Sequence, residues 1–311
     1  MLFLPLAPWK ELKYLPIKPQ NELFSKINQF TFMRHYLFLS LLMLTLGLWS
    51  CGNAPQESSD QEEGMEQFAK DESFKEKHET PEDINYTGAG KQMEFDTPDG
   101  QKGTAYAILP EGETDKFLFV IHEWWGLNDQ VKQEADRLFE ELDNVAVMAL
   151  DLYDGKVTDD QNKAGEYMTA ASKNIPRLEN IVKGAMSYAG SDAKIATIGW
   201  CFGGGWSLRS SILAGDQGAG CVIYYGMPVQ DQEALAPYKG DILGIFADKD
   251  AWITPEVASN LKKLAEANGN KVDIHQYDAD HAFANPSSPR YNEAAAQEAN
   301  KLALSFLKSH L

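Results

Sequence analysis

Residues 194–206 read KIATIGWCFGGGW, and this stretch decides the fold of the chain. Its first half is apolar and rich in β-branched residues, which predicts a strand covered on both faces. Gly199 and Gly203 then stand two residues before and after Cys201. This is the cysteine form of G-x-S-x-G, in which a nucleophile sits on a strained strand-to-helix turn between glycines. The helix N-terminus behind Cys201 favours a thiolate, although an inert buried cysteine in a Gly-rich turn is the alternative.

On both sides of this stretch, apolar strands alternate with segments of helical periodicity. Strands are predicted over residues 92–95, 104–109, 117–122, 145–151, 220–225, 242–247 and 271–277, and helices over 129–142, 160–189, 255–268 and 291–311. The alternation predicts an α/β fold with a mainly parallel sheet that helices cover on both faces. We expect one folded domain over residues 85–311.

The first 84 residues differ in composition from the rest. Residues 1–32 have no clear period and are interpreted as an upstream segment that is not used. Residues 33–51 have a basic start and an apolar run too short for a comfortable membrane span. They end in Trp49-Ser50-Cys51, which resembles a bacterial lipobox with Cys51 as the lipidated residue. Residues 52–84 are polar and acidic and are predicted to be a disordered tether.

These features predict an exported protein that is lipid-anchored to the bacterial cell envelope on its periplasmic or outer side. A plain signal peptide or a single-pass anchor is the alternative, and either also places the domain outside the cytoplasm. The net charge of −18 argues against nucleic acid as a partner and against electrostatic adhesion to a membrane. Three cysteines do not suggest a disulfide framework, and we expect no metal or cofactor because no His or Cys pair has ligand spacing.

A thiol nucleophile needs a base within reach and a group that orients the base. His281 follows a predicted strand, in the kind of loop where an α/β sheet presents functional groups, and is the expected base. The acid should come from the end of strand 242–247, where Asp248 and Asp250 compete. We choose Asp250 and leave Asp248 as the alternative.

The loop after strand 117–122 contains a carboxylate beside two tryptophans, Glu123-Trp124-Trp125. An oxyanion hole of the expected kind uses the backbone N–H of the residue after the nucleophile and a second N–H from this loop. We therefore expect the N–H groups of Phe202 and Trp124 to form it. Glu123 is a further candidate for the site, and a helix-cap or surface carboxylate is the alternative.

Several dispersed segments together resemble the dienelactone hydrolase family over roughly residues 88–311. They are EWWGLN at 123–128, ALDLY at 149–153, GWCFGG at 199–204, YYG at 224–226, Asp250, and HAFA at 281–284. The resemblance implies a single α/β-hydrolase domain without a lid. It implies that a Cys201-Asp250-His281 triad cleaves an ester or lactone through a thioester acyl-enzyme, as carboxymethylenebutenolidases do. It also implies a resting neutral thiol, whose proton passes to Glu123 when a substrate displaces that carboxylate.

The resemblance leaves the substrate open. Family members bind a substrate carboxylate with arginines, one of them four residues after the histidine, where this chain has Asn285. A neutral or differently charged ester or lactone is therefore an equal expectation. The alternative to an enzyme is a non-catalytic, lipid-anchored binding or interaction protein that keeps the fold.

Overall fold

An eight-stranded sheet forms the framework of residues 64–311, the part of the chain that the computed structural model describes. Its strand order is β1-β2-β4-β3-β5-β6-β7-β8; β2 is antiparallel to both of its neighbours, β1 and β4, and every other adjacent pair is parallel. The strands are β1 (Lys91–Asp96), β2 (Lys102–Ile108), β3 (Lys116–Ile121), β4 (Ala146–Leu150), β5 (Lys194–Trp200), β6 (Gly218–Tyr224), β7 (Asp241–Ala247) and β8 (Val272–Tyr277).

Eight α-helices accompany the sheet in this part of the chain. They are α1 (Glu72–Glu76), α2 (Asp129–Glu141), α3 (Gln161–Ser172), α4 (Ile175–Ala189), α5 (Phe202–Ala214), α6 (Gln232–Leu235), α7 (Pro255–Asn268) and α8 (Glu293–His310). The predicted mainly parallel α/β architecture is confirmed. The sequence did not predict α1 or α6, each of five residues or fewer, because such short helices carry no measurable period.

The central strands are apolar without alternation because both of their faces are covered. Every residue of β4 is buried, and so is every residue of β5 after Lys194. A half-exposed strand would alternate apolar and polar residues, whereas a doubly covered strand does not. The carboxyl ends of these parallel strands point to one edge of the sheet, and the loops at that edge hold the predicted site residues.

The amino-terminal part of the described chain is folded, which corrects the expected boundary at residue 85. Residues 64–84, which we call the N-terminal strap, contain a 3₁₀ turn at Met65–Phe68 and helix α1. Met65 and Phe74 are buried. The prediction of a disordered tether is therefore wrong over residues 64–84, because a few apolar side chains spaced along a polar segment suffice to dock it on the domain.

The other amino-terminal predictions lie outside the described residues. These are the upstream segment, the signal peptide, the lipobox at Cys51 and the tether over residues 52–63. Within residues 64–311, no helix combines the length and the apolar character needed to cross a membrane.

Candidate active site

Cys201 lies at the turn between β5 and α5 in strained backbone, with φ of 55°. The flanking glycines are required by close backbone contacts. A Cβ atom on Gly199 would lie 2.0 Å from the carbonyl oxygen of Gly203, and one on Gly203 would lie 2.3 Å from that of Ile121. Both distances are shorter than side chains tolerate, so the glycines allow β5, α5 and the end of β3 to meet at the cysteine.

Asp250 and His281 form a buried pair beside this turn. The Nδ1 atom of His281 lies 2.5 Å from Oδ2 of Asp250. The other carboxylate oxygen of Asp250 accepts hydrogen bonds from the backbone N–H groups of Trp252 and Ile253, both at 2.9 Å. Asp248 is exposed instead. The structure thus brings Asp250, the expected acid, to the histidine and leaves the alternative outside.

The remaining ring nitrogen of His281 faces the cysteine. Ligand atoms of His281 and Cys201 lie within 4.8 Å of each other, and both side chains are buried. Because Nδ1 is held by Asp250, Nε2 is the atom available to the sulfur, and it has no hydrogen-bond partner among the described residues. A thiol, an imidazole and a carboxylate therefore lie next to one another in the order that a triad would require.

Burial dominates the protonation of the sulfur. It raises the pKa of the Cys201 thiol, the nearby His281 lowers that pKa in part, and Glu123 raises it. The helix N-terminus, expected to favour a thiolate, is therefore outweighed by desolvation, and the resting group is a neutral thiol. Burial alone would lower the pKa of His281, but Asp250 and Cys201 raise it well above its usual value. Asp250 in particular therefore favours the protonated imidazole.

Glu123 is buried in the loop after β3, as a site carboxylate and not as a surface group. Its Oε2 accepts a hydrogen bond of 2.7 Å from the side-chain amide of Asn285, and its Oε1 has no partner among the described residues. Burial raises the pKa of Glu123, while His281 and the Asn285 hydrogen bond oppose this. Asn285 thus positions the carboxylate of Glu123.

The two expected oxyanion donors come from neighbouring backbone. Phe202 is the first residue of α5, and its N–H lowers the pKa of the Cys201 sulfur beside it. Trp124 follows Glu123 in the loop after β3. The close contact of Gly203 with Ile121, the last residue of β3, brings this loop to the start of α5. In the turns and loops of the described chain, neither N–H donates a hydrogen bond to a backbone carbonyl.

The structure adds one residue that the sequence analysis missed. His78, in the N-terminal strap, is buried with its ring centroid 4.7 Å from that of His281. Its Nδ1 lies 2.7 Å from the carbonyl oxygen of Phe74. Phe74 in turn contacts Trp124 and Trp252 edge-on at 5.3 and 5.1 Å. The apolar spacing of Met65, Phe68, Ala69 and Phe74 is the signal that this segment docks.

The strap leaves little room over the nucleophile. A cavity of about 20 Å³ is lined by Cys201, His78, Glu123 and Asn285 among others. It is large enough for about one water molecule. A second cavity, of about 380 Å³, is lined by Val131, Arg137, Trp200 and Pro286 and also by Glu123 and Asn285. The Glu123–Asn285 pair therefore stands between the sulfur and the larger space.

Comparisons with known proteins identify sequences that are similar to this chain. A model of the dienelactone hydrolase family matches residues 104–311. Protein usf of Aquifex pyrophilus is 29% identical over 233 residues, which cover 71% of this chain and 99% of that relative. Carboxymethylenebutenolidase of Pseudomonas sp. (strain P51) is 31% identical over 132 residues, which cover 41% of this chain and 54% of that relative.

Solved structures resemble the described domain as well. The dienelactone hydrolase-like promiscuous phosphotriesterase P91 from metagenomic libraries matches with a TM-score of 0.61 at 18% identity, covering 72% of this chain and 99% of that chain. At this identity the likeness shows the α/β-hydrolase fold alone.

Proposed function

This chain is a hydrolase that belongs to the dienelactone hydrolase family, and from that premise we propose that it cleaves an ester or lactone through a thioester on Cys201. The observation that carries the proposal is the convergence of three buried groups on one point. Cys201 sits on the strained turn, a ring nitrogen of His281 lies within 4.8 Å of it, and Asp250 holds the opposite side of that ring.

Acylation begins with the neutral thiol. When a substrate displaces Glu123 from Asn285, the carboxylate takes the thiol proton, and the thiolate attacks the carbonyl carbon. The N–H groups of Phe202 and Trp124 stabilise the oxyanion. The protonated His281 then gives its proton to the leaving alkoxide, which departs as an alcohol and leaves a thioester on Cys201.

Deacylation uses the same groups in the opposite direction. His281, now neutral and oriented by Asp250, removes a proton from water, and the hydroxide attacks the thioester. The carbon–sulfur bond breaks, and the sulfur recovers its proton from Glu123. The products are one carboxylic acid and one alcohol per water consumed, and the enzyme returns to its resting state.

Substrate entry requires two movements. The cavity of about 20 Å³ over Cys201 holds no ester while the strap is in place, so the strap must open. Displacement of Glu123 then joins this space to the cavity of about 380 Å³, which is within the size range of small-molecule sites. Arg137 at that cavity is held by two hydrogen bonds to Glu134, at 2.6 and 2.8 Å. Its charge is thereby matched, which favours an uncharged substrate group there.

The direct test is to trap the acyl-enzyme. We expect His281→Ala, mixed as the full chain with a p-nitrophenyl ester of a short acid, to release one equivalent of nitrophenol and then stall. Mass spectrometry of peptides should find the acyl group on Cys201. Acyl transfer to another residue, or steady turnover in Cys201→Ala, would overturn the mechanism. A protein with the family fold that cleaves no ester would instead support the non-catalytic alternative, which the relatives do not favour.

We also propose that the protein is exported and anchored through a lipid on Cys51. The support is the apolar run that ends in Ser50-Cys51 and the acidic character of the chain, which provides no electrostatic attachment to membranes. Bacterial cells expressing the chain should incorporate a fatty-acid label into it and retain it in the membrane fraction. Cys51→Ser should abolish both, and unchanged labelling of that variant would contradict the anchor.

A further inference from the structure

Three metal-binding side chains meet where the N-terminal strap crosses the active site. His78, Cys201 and His281 each offer one ligand atom, and these atoms lie within 4.8 Å of one another. All three residues are buried, at 7%, 1% and 2% exposure. His78 comes from the strap, whereas the other two come from the domain, so only the folded strap completes the group.

The two imidazoles are held as metal-binding histidines are held. A ligating histidine nearly always donates its other ring N–H to a carboxylate or a backbone carbonyl, which fixes the tautomer and the ring direction. Here Nδ1 of His78 lies 2.7 Å from the carbonyl oxygen of Phe74, and Nδ1 of His281 lies 2.5 Å from the Asp250 carboxylate. Each Nε2 is left buried, without a hydrogen-bond partner among the described residues.

We propose that His78, Cys201 and His281 bind a zinc ion that inhibits the enzyme. Thiolate and imidazole are the donors that Zn²⁺ prefers, at about 2.0–2.3 Å in tetrahedral geometry. Two ligand atoms of such a site are roughly 3.3–3.8 Å apart, so spacings of up to 4.8 Å need a contraction of at most about 1.5 Å. The three protein ligands leave one position for water.

The binding step is a ligand exchange without oxidation or reduction. The S–H bond of Cys201 breaks, a Zn–S bond forms, and the thiol proton leaves to solvent. His281 binds through its Nε2 lone pair, and any proton on that atom leaves to solvent in the same way. His78 contributes its Nε2 lone pair.

Two consequences follow for the proposed hydrolysis, and this part of the inference rests on that function. The sulfur that is bound to zinc cannot attack a carbonyl, and the base is occupied by the same ion. Because His78 belongs to the strap, the ion also fastens the strap over the site. Zinc therefore blocks the chemistry and the entry of substrate together.

The sequence could not predict this site. His78 and Cys201 are more than one hundred residues apart, and Cys201 and His281 are eighty residues apart. The three ligands therefore have no spacing that a motif search would detect. The expectation that the chain has no metal depended on such spacing.

The test uses the full chain with Zn²⁺ and with Co²⁺, whose bond to a thiolate gives a charge-transfer absorption. We expect one tightly bound ion per chain, the thiolate–cobalt absorption, and loss of esterase activity in proportion to the bound Zn²⁺, with recovery upon chelation. The thiolate signal is needed because the net charge of −18 allows weak binding to surface carboxylates. Mg²⁺ should have no effect, because it prefers oxygen ligands.

Matched variants locate the ligands. His78→Ala and His78→Gln should each raise the zinc concentration for half-inhibition about 100-fold or more, since loss even of an outer-shell partner costs 10–100-fold. His275→Ala and Cys51→Ser should leave zinc binding as it is. Circular dichroism checks that each variant folds. Equal inhibition of wild type and both folded His78 variants, or Co²⁺ binding without the thiolate absorption, would overturn the inference.

The two proposals fail separately. An active esterase that binds no Co²⁺ through sulfur retains the proposed function and contradicts the zinc site. A chain that binds Co²⁺ through Cys201 and His78 but, when metal-free, cleaves no ester retains the metal site and contradicts both the proposed function and the inhibition.

Discussion

The turn at Cys201 and the N-terminal strap both lie next to the same sulfur, and they are held in different ways. Backbone fixes the turn, because Gly199 and Gly203 admit carbonyl oxygens to within 2.0 and 2.3 Å of where a Cβ would stand. Mainly side-chain contacts hold the strap instead. Phe74 packs edge-on against two tryptophans, and a few hydrogen bonds tie the segment down, including one of 3.0 Å between the backbones of Glu82 and Ser287.

This difference separates what must stay fixed from what can move. A side-chain contact can be released by local opening, whereas the backbone contacts of the turn break only if the sheet edge comes apart. Cys201, the proposed nucleophile, is therefore pre-positioned on the rigid part. The N-terminal strap, which covers this residue, is held less firmly, as is usual for segments that gate an active site.

Replacement of Cys201, on the rigid turn, gives the largest expected effect. We expect Cys201→Ala to lower kcat/KM for a short-chain ester by about 10⁴-fold, since loss of a nucleophile leaves only binding and oxyanion stabilisation. Cys221→Ala is the matched control, because Cys221 is a buried core thiol near Ser207. Steady-state kinetics measure the change, and activity within tenfold of wild type would remove the sulfur from the mechanism.

A side chain introduced at Gly203 should disrupt the rigid turn itself. Gly203→Ala would put a Cβ 2.3 Å from the carbonyl oxygen of Ile121 and 2.5 Å from that of His122. We expect a loss of about 3 kcal/mol or more in the free energy of unfolding, or no folded protein. Gly112→Ala, where nothing lies within 4 Å, should change that free energy by less than about 0.5 kcal/mol. Equal denaturant midpoints for the two variants would show that the turn is not fixed by backbone contacts.

Loosening of the strap should raise kcat/KM, whereas the loss of Cys201 lowers it. Phe74→Ala removes a buried ring whose loss costs about 3 kcal/mol, mainly from the closed strap. If substrate enters only the open form, the open fraction sets the apparent affinity, and kcat/KM should rise by as much as about 100-fold. Phe306→Ala, in the half-buried face of α8, is the matched control. An unchanged rate with faster proteolysis of the strap would show that the cover does not limit entry.

The smallest expected effect lies at the Glu123–Asn285 pair, between the two regions. Asn285→Ala removes a hydrogen bond worth about 1 kcal/mol that favours the charged form of Glu123, so kcat/KM should fall about fivefold on the acid limb of the pH profile. Burial already raises the pKa of Glu123, and the lost bond favoured its charged form. The pKa therefore rises further, and the carboxylate that accepts the thiol proton appears only at higher pH.

A pH series of kcat/KM checks this prediction. Its acid limb should move to higher pH in Asn285→Ala and stay in place in Asn174→Ala, whose side chain makes no cap hydrogen bond. A shift of the limb to lower pH would contradict the role given to Glu123.

Much of the domain could be predicted from local patterns. The strand and helix around Cys201, the hairpin of β1 and β2, and the stop of α7 at Gly269 each depend on residues close together in the sequence. Gly269 adopts φ of 87°, which is the left-handed geometry that a helix end favours. The preference for Asp250 over Asp248 agrees with the geometry, although the catalytic roles of the site residues stay predictions.

The strap shows where such reasoning stops. Its composition resembles that of a disordered segment, since acidic and polar residues outnumber apolar ones. Composition averages over a segment, whereas docking depends on a few side chains that find a matching surface. Phe74 finds Trp124 and Trp252, residues about 50 and 180 positions away, and it brings His78 with it.

The sequence by itself determined the doubly covered sheet, the strained turn and the residue types of the site, because hydrophobic period and glycine placement act over a few neighbouring positions. Only the tertiary structure decided which groups meet at the sulfur. It brought Asn285 to Glu123 and His78 to His281, through contacts between segments that no local pattern relates. The energy of such contacts depends on shape and burial at the meeting point, and that point exists only once the chain has folded.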